Sequence, residues 1–240
     1  MQVMPHDSYV WSARVAPAAL VVTPAIAFGL ALGVKLDAVN DLWGIVSFAL
    51  LPLAAALARQ AGHRVQDKLW ARWGGSPASR RLWLDGAVAP TDVLRRRADV
   101  VALLGGVTLP SQADESADPM TAEAEYRGVV RRVIAVLRSG PADLMAKENA
   151  SYGFCRNLYG LKPHGLAVAI IVAMLSIGVP SVAGSDVIPG GPWWVPTGIA
   201  VINVTVWLLI TPAFVRPAAE AWADRLYEAV QVAAREPSKP

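Results

Sequence analysis

Apolar positions in this chain do not alternate with polar ones. They gather into four long runs, over residues 15–34, 42–58, 165–183 and 193–215, and none of the runs contains Asp, Glu, Lys, Arg or His. A helix rises about 1.5 Å per residue, so about 20 apolar residues cross a hydrocarbon core about 30 Å thick. Each run therefore predicts a membrane-spanning helix. The second is the shortest and gains a turn if Arg59 snorkels to the headgroups. The first is too long for a usual signal-peptide apolar core and has no close small-residue cleavage pattern after it, which favours a retained span.

Between the second and third runs the pattern changes to amphipathic. Val65, Leu69 and either Trp70 or Trp73 recur at helical spacing, extending the second helix to Trp73, and Gly74-Gly75-Ser76-Pro77 ends it. Thr91 predicts an N-cap for a helix to about Leu104, closed by Gly105-Gly106. Residues 105–119 read as an acidic loop. Asp118-Pro119 then starts a helix to about Arg138, with Tyr126, Val129, Val130, Val133, Ile134 and Leu137 on its apolar stripe. Glu123, Glu125 and Tyr126 otherwise look like ordinary helix-surface residues. Ser139-Gly140-Pro141 breaks the chain before a short helix through Leu144 and Met145. The tail is amphipathic through Trp222, Leu226, Val230 and Ala233.

The expected fold class is an all-α integral membrane protein, four transmembrane helices as two hairpins flanking a helical cytosolic insert. The segments are 1–14 (cytosolic N-terminus), 15–58 (first hairpin), 59–163 (basic helical cytosolic domain), 164–215 (second hairpin) and 216–240 (cytosolic amphipathic tail). Mean hydropathy of +0.39 and 54% hydrophobic residues agree with a membrane protein. Charge sets the expected orientation. Of 22 Lys and Arg, only Lys35 falls between the first two runs, and none falls between the last two. The positive-inside rule then places both termini and the insert in the cytoplasm of a bacterial cell, with the protein multi-pass in the inner (cytoplasmic) membrane. Trp43, Trp193 and Trp194 fall at the outer interface. The single Cys155 excludes an internal disulfide.

Ion-coupled transport needs ionisable groups at membrane depth, and the uncharged spans argue against it. Prolines occur in every span (Pro17, Pro24, Pro52, Pro180, Pro196, Pro212), as ordinary bends or as hinges. Asn203 near the middle of the fourth run requires a partner across a helix interface, so Asn203 and Thr205 mark a candidate seam, together with a Gly29/Gly33 GxxxG pair.

The densest unusual segment is 148–163, ENASYGFCRNLYGLKP. Glu148, Asn149, Tyr152, Phe154, Arg156, Asn157 and Lys162 are candidates for ligand or partner contact: Arg156 for an anion, the asparagines as donors, the aromatics for stacking. The alternative is an interfacial anchor for the third span. Arg95, Arg96, Arg97, Arg131 and Arg132 are candidates for an anionic surface such as lipid headgroups or a phosphate group, or else a solvated helix face. His63 and Asp67 at i, i+4 lack a third metal ligand, Cys155 lacks a nearby histidine, and no phosphate-binding glycine fingerprint occurs. No catalytic residue, metal or cofactor is expected.

These features favour a non-enzymatic, self-associating membrane protein. Its cytosolic domain would bind a partner or a small anionic ligand and alter the membrane assembly, as a gated pore or membrane-disrupting effector. The expected partners are membrane lipids and copies of itself or another membrane protein, with no clear nucleic-acid signal. The alternative is a scaffold or accessory subunit of a larger membrane complex. An enzyme acting on phosphorylated or lipid-linked substrate fits less well, because no acid–base pair with a nucleophile is visible.

Overall fold

The computed structural model describes residues 11–33, 39–84, 91–137, 143–187 and 193–235, with the side chains of 32–33, 39–52, 54, 143–144, 180 and 182–187 outside that description. The described residues are helical and contain no strand. A π-helical turn, Trp11–Val15, leads into α1 (Ala16–Gly33). Then follow α2 (Val39–Arg72), α3 (Pro77–Arg80), α4 (Thr91–Leu103), α5 (Gln112–Ala117), α6 (Pro119–Leu137), α7 (Asp143–Val187), α8 (Trp194–Leu209) and α9 (Pro212–Arg235).

Two helices, over Trp11–Ala31 and Met145–Val179, are long and apolar enough to cross a membrane. The pair α8–α9 makes a third if the two are counted as one bent span. The second apolar run, 42–58, is helical in backbone, but most of its side chains lie outside the described residues. So do residues 138–142 and 188–192, where the Ser139-Gly140-Pro141 break and most of the last outer loop are expected.

The chain divides into two compact units. The first comprises residues 1–66 and 153–215, the second residues 67–152 and 216–240.

In the first unit α1 packs against α8. The buried residues of α8 are Pro196, Ala200, Asn203 and Trp207, one stripe at helical spacing. Trp207 centres a core with Ala18, Ala58, Leu158, Leu161 and Ile210. The opposite faces are apolar yet exposed: Ile26 and Leu30 on α1, Ile171 and Met174 on α7, Ile202 and Leu209 on α8.

Three sequence expectations change here. The fourth run is not one helix: α8 and α9 meet at a 61° bend. Pro212 has no N–H and its ring excludes the carbonyl four residues back, so the helix breaks where Ile210 turns extended. By contrast the short helix expected at Leu144 and Met145 is continuous with the third apolar run: α7 is one helix of 45 residues that continues through Pro163. The acidic loop is also partly helical, since Ser111 and Asp114 form a reciprocal capping box that nucleates α5.

The second unit is built on amphipathic helices. Leu82, Val100, Tyr126, Val129, Val130, Val133, Leu226, Tyr227 and Val230 form its core. Burying each of the larger aliphatic side chains contributes about 1.5–3 kcal/mol relative to exposure. Gly74 and Gly75 adopt positive φ, ending α2 as expected and reversing the chain into α3. Tyr227 donates to the Ala78 carbonyl at 2.7 Å, and Arg81 forms a two-pronged pair with Asp224 at 2.7 and 2.9 Å.

Candidate functional site

In the first unit Asn157, Arg156, Lys162 and Asn203 join segments distant in sequence. Asn157 on α7 is buried, and its amide donates to the Ala13 carbonyl at 2.7 Å. Its carboxamide lies against Gly62 of α2, where a Cβ would come within 1.9 Å of Oδ1. One turn later Gly160 meets the Ala61 backbone, where a Cβ would lie 2.5 Å from the carbonyl. The two glycines let α2 and α7 approach at backbone distance. Beside this junction Arg156 donates to the Gln66 side-chain oxygen.

Further along α7, Lys162 donates to the carbonyls of Ile210 (2.8 Å) and Leu208 (3.3 Å). Leu208 is four residues before Pro212, so its carbonyl is the one the proline leaves without a helical donor. The Lys162 ammonium supplies the missing hydrogen bond and a positive charge at the C-terminal end of α8, where the helix dipole favours it. Asn203 donates to the Leu20 carbonyl at 3.1 Å and accepts from the Trp207 indole at 2.6 Å, so it lies on the α1–α8 seam. Thr205 does not: it is exposed, and its hydroxyl donates back to Val201. Gly29 is buried on α1, and Gly33 lies outside the described side chains.

The candidates of the 148–163 segment therefore divide between the units. Phe154, Arg156, Asn157 and Lys162 belong to the first, where Phe154 packs against the Trp207 core. Glu148, Asn149 and Tyr152 belong to the second. Tyr152 is buried there; its hydroxyl accepts from the Trp70 indole at 3.1 Å and its ring stacks on Trp222. Asn149 is exposed.

Two carboxylates organise the second unit, and sequence reading passed over both. Glu123 is not an ordinary surface residue. Its carboxylate accepts from the Ser76 N–H (2.8 Å), the Ser79 hydroxyl (2.7 Å), the Trp83 indole (3.2 Å) and the Arg127 guanidinium (2.9 Å). Glu115 is buried and accepts from the Leu84 N–H at 3.0 Å and the Tyr126 hydroxyl at 2.5 Å. Tyr126 is fully buried. Desolvation first, then its bond to Glu115, pushes its phenol above the usual range. Arg97 was expected on an anionic-binding surface. It turns inward instead, donating to Leu82, Tyr126 and Pro110, with the Glu115 carboxylate 3.7 Å away.

Desolvating a guanidinium is costly unless its donors are satisfied, and here two backbone carbonyls and the Tyr126 hydroxyl accept from it while the Glu115 carboxylate supplies the counter-charge. The signal that could have found this network is the spacing of two acidic residues on either side of a helix start, with tyrosine and arginine at buried registers. Arg131, Arg132 and Arg95 do face outward, and Arg95 pairs with Asp92 at 3.1 Å. Arg96 is half-buried.

A groove of 360 Å³ opens beside this network, lined by Leu109, Pro110, Asp114, Asp118, Thr121 and Glu125. Its acidic wall disfavours an anionic ligand. Among the described residues no three His, Cys, Asp or Glu side chains converge as a metal site. Asn157, Asn203, Glu115 and Glu123 each bond to a backbone group of another segment.

No protein-family model, curated protein or solved structure matches the chain.

Proposed function

We propose that this chain is a non-enzymatic protein of the inner membrane. Four spans, two before and two after the insert, form its membrane body, and both termini and the second unit lie in the cytoplasm. The spans self-associate, and a partner or ligand bound by the cytosolic unit alters the assembly, as a gated pore or membrane-disrupting effector. The observation that carries this reading is the contrast between the units' exteriors. The first exposes large aliphatic side chains along α1, α7 and α8, whereas the second exposes Arg, Asp and Glu over an apolar core.

Apolar exteriors of this length are stable in lipid and unstable in water. Lipid also removes the hydrophobic drive between helices, leaving close packing and interhelical hydrogen bonds. The Gly62–Asn157 and Gly160–Ala61 contacts and the Asn203–Leu20 bond are of that kind.

The test is single-cysteine accessibility in a Cys155→Ser background. Lys35→Cys should react with a membrane-impermeant maleimide on intact spheroplasts, and Ser116→Cys and Ser238→Cys only after lysis. Labelling of Ser116→Cys before lysis would overturn the orientation. Native mass spectrometry decides the assembly. A homo-oligomer supports self-association, and a stable complex with a different polypeptide supports the scaffold reading.

A further inference from the structure

Three segments of the first unit meet at one level. Ala13 accepts from Asn157, and Asn157 lies against Gly62. The residues flanking these three contact points are basic. Arg14 follows Ala13, Arg59 and His63 lie within one turn of Gly62 on the same helix, and Arg156 precedes Asn157. Arg59 and His63 are exposed, and Arg14 and Arg156 are half-buried. The electrostatics reflect the same grouping: burial first, then the Arg156, Arg59 and Arg14 charges, hold the His63 imidazole below its ordinary pKa. Residues 11–33, 59–66, 153–164 and 193–215 contain no Asp or Glu.

The position of this collar matters as much as its charge. The apolar residues of the first helix begin at Val15, immediately after Arg14, and those of α2 end at Ala58, immediately before Arg59. Leu53 and Leu57 on α2, and Ile26 and Leu30 on α1, continue the exposed apolar surface away from it. Trp11, 62% exposed, stands one turn before Arg14, where an amphipathic ring suits a headgroup layer. A cationic rim continuous with an apolar wall matches an amphiphile with an anionic head. Guanidinium groups suit phosphate in particular, through paired N–H donors.

We propose that Arg14, Arg59, His63 and Arg156 form a binding site for the phosphate headgroup of an anionic phospholipid of the cytosolic leaflet, its acyl chains lying along the exposed apolar residues of α1 and α2. This rests on the reading of the first unit as the membrane body. The site uses residues of the first unit alone, and it makes the Asn157 junction a place where lipid composition bears on helix packing.

The full-length protein, released from membranes into an equimolar mixture of phosphatidylcholine and phosphatidylglycerol, tests it by native mass spectrometry of retained lipid. Wild type should retain phosphatidylglycerol in preference. Each arginine contributes about five-fold, so Arg14→Gln with Arg156→Gln should lower retention by more than ten-fold. Arg59→Glu, at an exposed side chain outside the junction's hydrogen bonds, should lower it by at least five-fold and decides the matter if the double variant does not fold. Arg225→Gln, at an exposed side chain of the second unit, should leave retention unchanged. Equal retention of both lipids by wild type, a wild-type level in Arg59→Glu, or an equal loss in Arg225→Gln would overturn the site. Failure of the membrane reading looks different: the protein would then leave the membrane fraction in a carbonate wash.

Discussion

Asn157 donates a hydrogen bond of 2.7 Å to the backbone carbonyl of Ala13, a residue 144 positions earlier in the chain. The Asn157 side chain is buried, and so is Ala13. This bond ties the turn before α1 to α7, and Asn157 fills the space left by Gly62 on α2.

Replacing Asn157 by Leu keeps the volume and removes the donor. The Ala13 carbonyl then stays buried without it, which should cost about 1–3 kcal/mol. A lower midpoint of thermal unfolding in detergent checks this, and an unchanged midpoint would show that the bond contributes nothing net.

The close approach of α2 and α7 requires the absence of side chains. Gly160→Ala places a Cβ against the Ala61 backbone, which cannot yield as a flexible side chain would. Overpacking of this kind should destabilise by about 1–3 kcal/mol. Gly178→Ala, on the same helix with open space around it, should leave stability unchanged or raise it slightly. Comparison of the two variants by thermal melting separates packing from helix propensity.

Lys162 holds the carbonyls at the α8–α9 break. Lys162→Met keeps the aliphatic stem and removes the charged donor from Leu208 and Ile210. About 1–2 kcal/mol should be lost, with faster amide hydrogen exchange around Trp207–Phe214. Lys162→Arg should restore protection. Exchange unchanged in the Met variant would count against this role.

The Tyr126 phenol stays protonated in the folded state above the pH at which an unfolded tyrosine ionises. Its contribution to stability is fully present below about pH 10, and it is lost as pH rises toward the higher folded value. Tyr126 and Tyr227, both buried with raised phenols, should therefore ionise with alkaline unfolding rather than before it, read as phenolate absorbance against circular dichroism. Tyr126→Phe should remove one of these two phenolates from the unfolding-linked absorbance. It should also cost about 1–3 kcal/mol by depriving Glu115 and Pro110 of their donor.

At acid pH the sign reverses. Asp118 accepts from the Thr121 hydroxyl and from the Thr121 and Met120 N–H groups, and these bonds hold its carboxyl below the usual 3.8. The cap's contribution is complete above that value and disappears as pH falls through the lower folded one. Asp118→Ala should lower the unfolding midpoint at pH 6, and the difference from wild type should shrink toward pH 2. A difference independent of pH would mean that the carboxylate charge plays no part.

Helix positions were legible wherever the deciding forces act within a few residues. Asp118-Pro119 and Gly74-Gly75 mark boundaries that the structure keeps, because capping and positive φ are local requirements. The apolar runs identified the uncharged stretches of α1, α2, α7 and α8 for the same reason. Pro212 and Pro163 belong to one residue type, yet one coincides with a break and the other lies within a continuous helix. Residue type alone does not encode that difference.

The sequence by itself determined the helical class, the uncharged apolar stretches, the asymmetry of basic residues and most helix ends. Tertiary structure alone decided which polar residues meet. It turned Arg97 inward to Tyr126 and Glu115, gathered four donors on Glu123, left Thr205 off the seam that Asn203 occupies, and divided the 148–163 segment between two units. The physical reason is range. Hydropathy and backbone sterics are properties of neighbours in the chain. A buried donor or acceptor must find a partner wherever packing brings one, here tens to more than a hundred residues away.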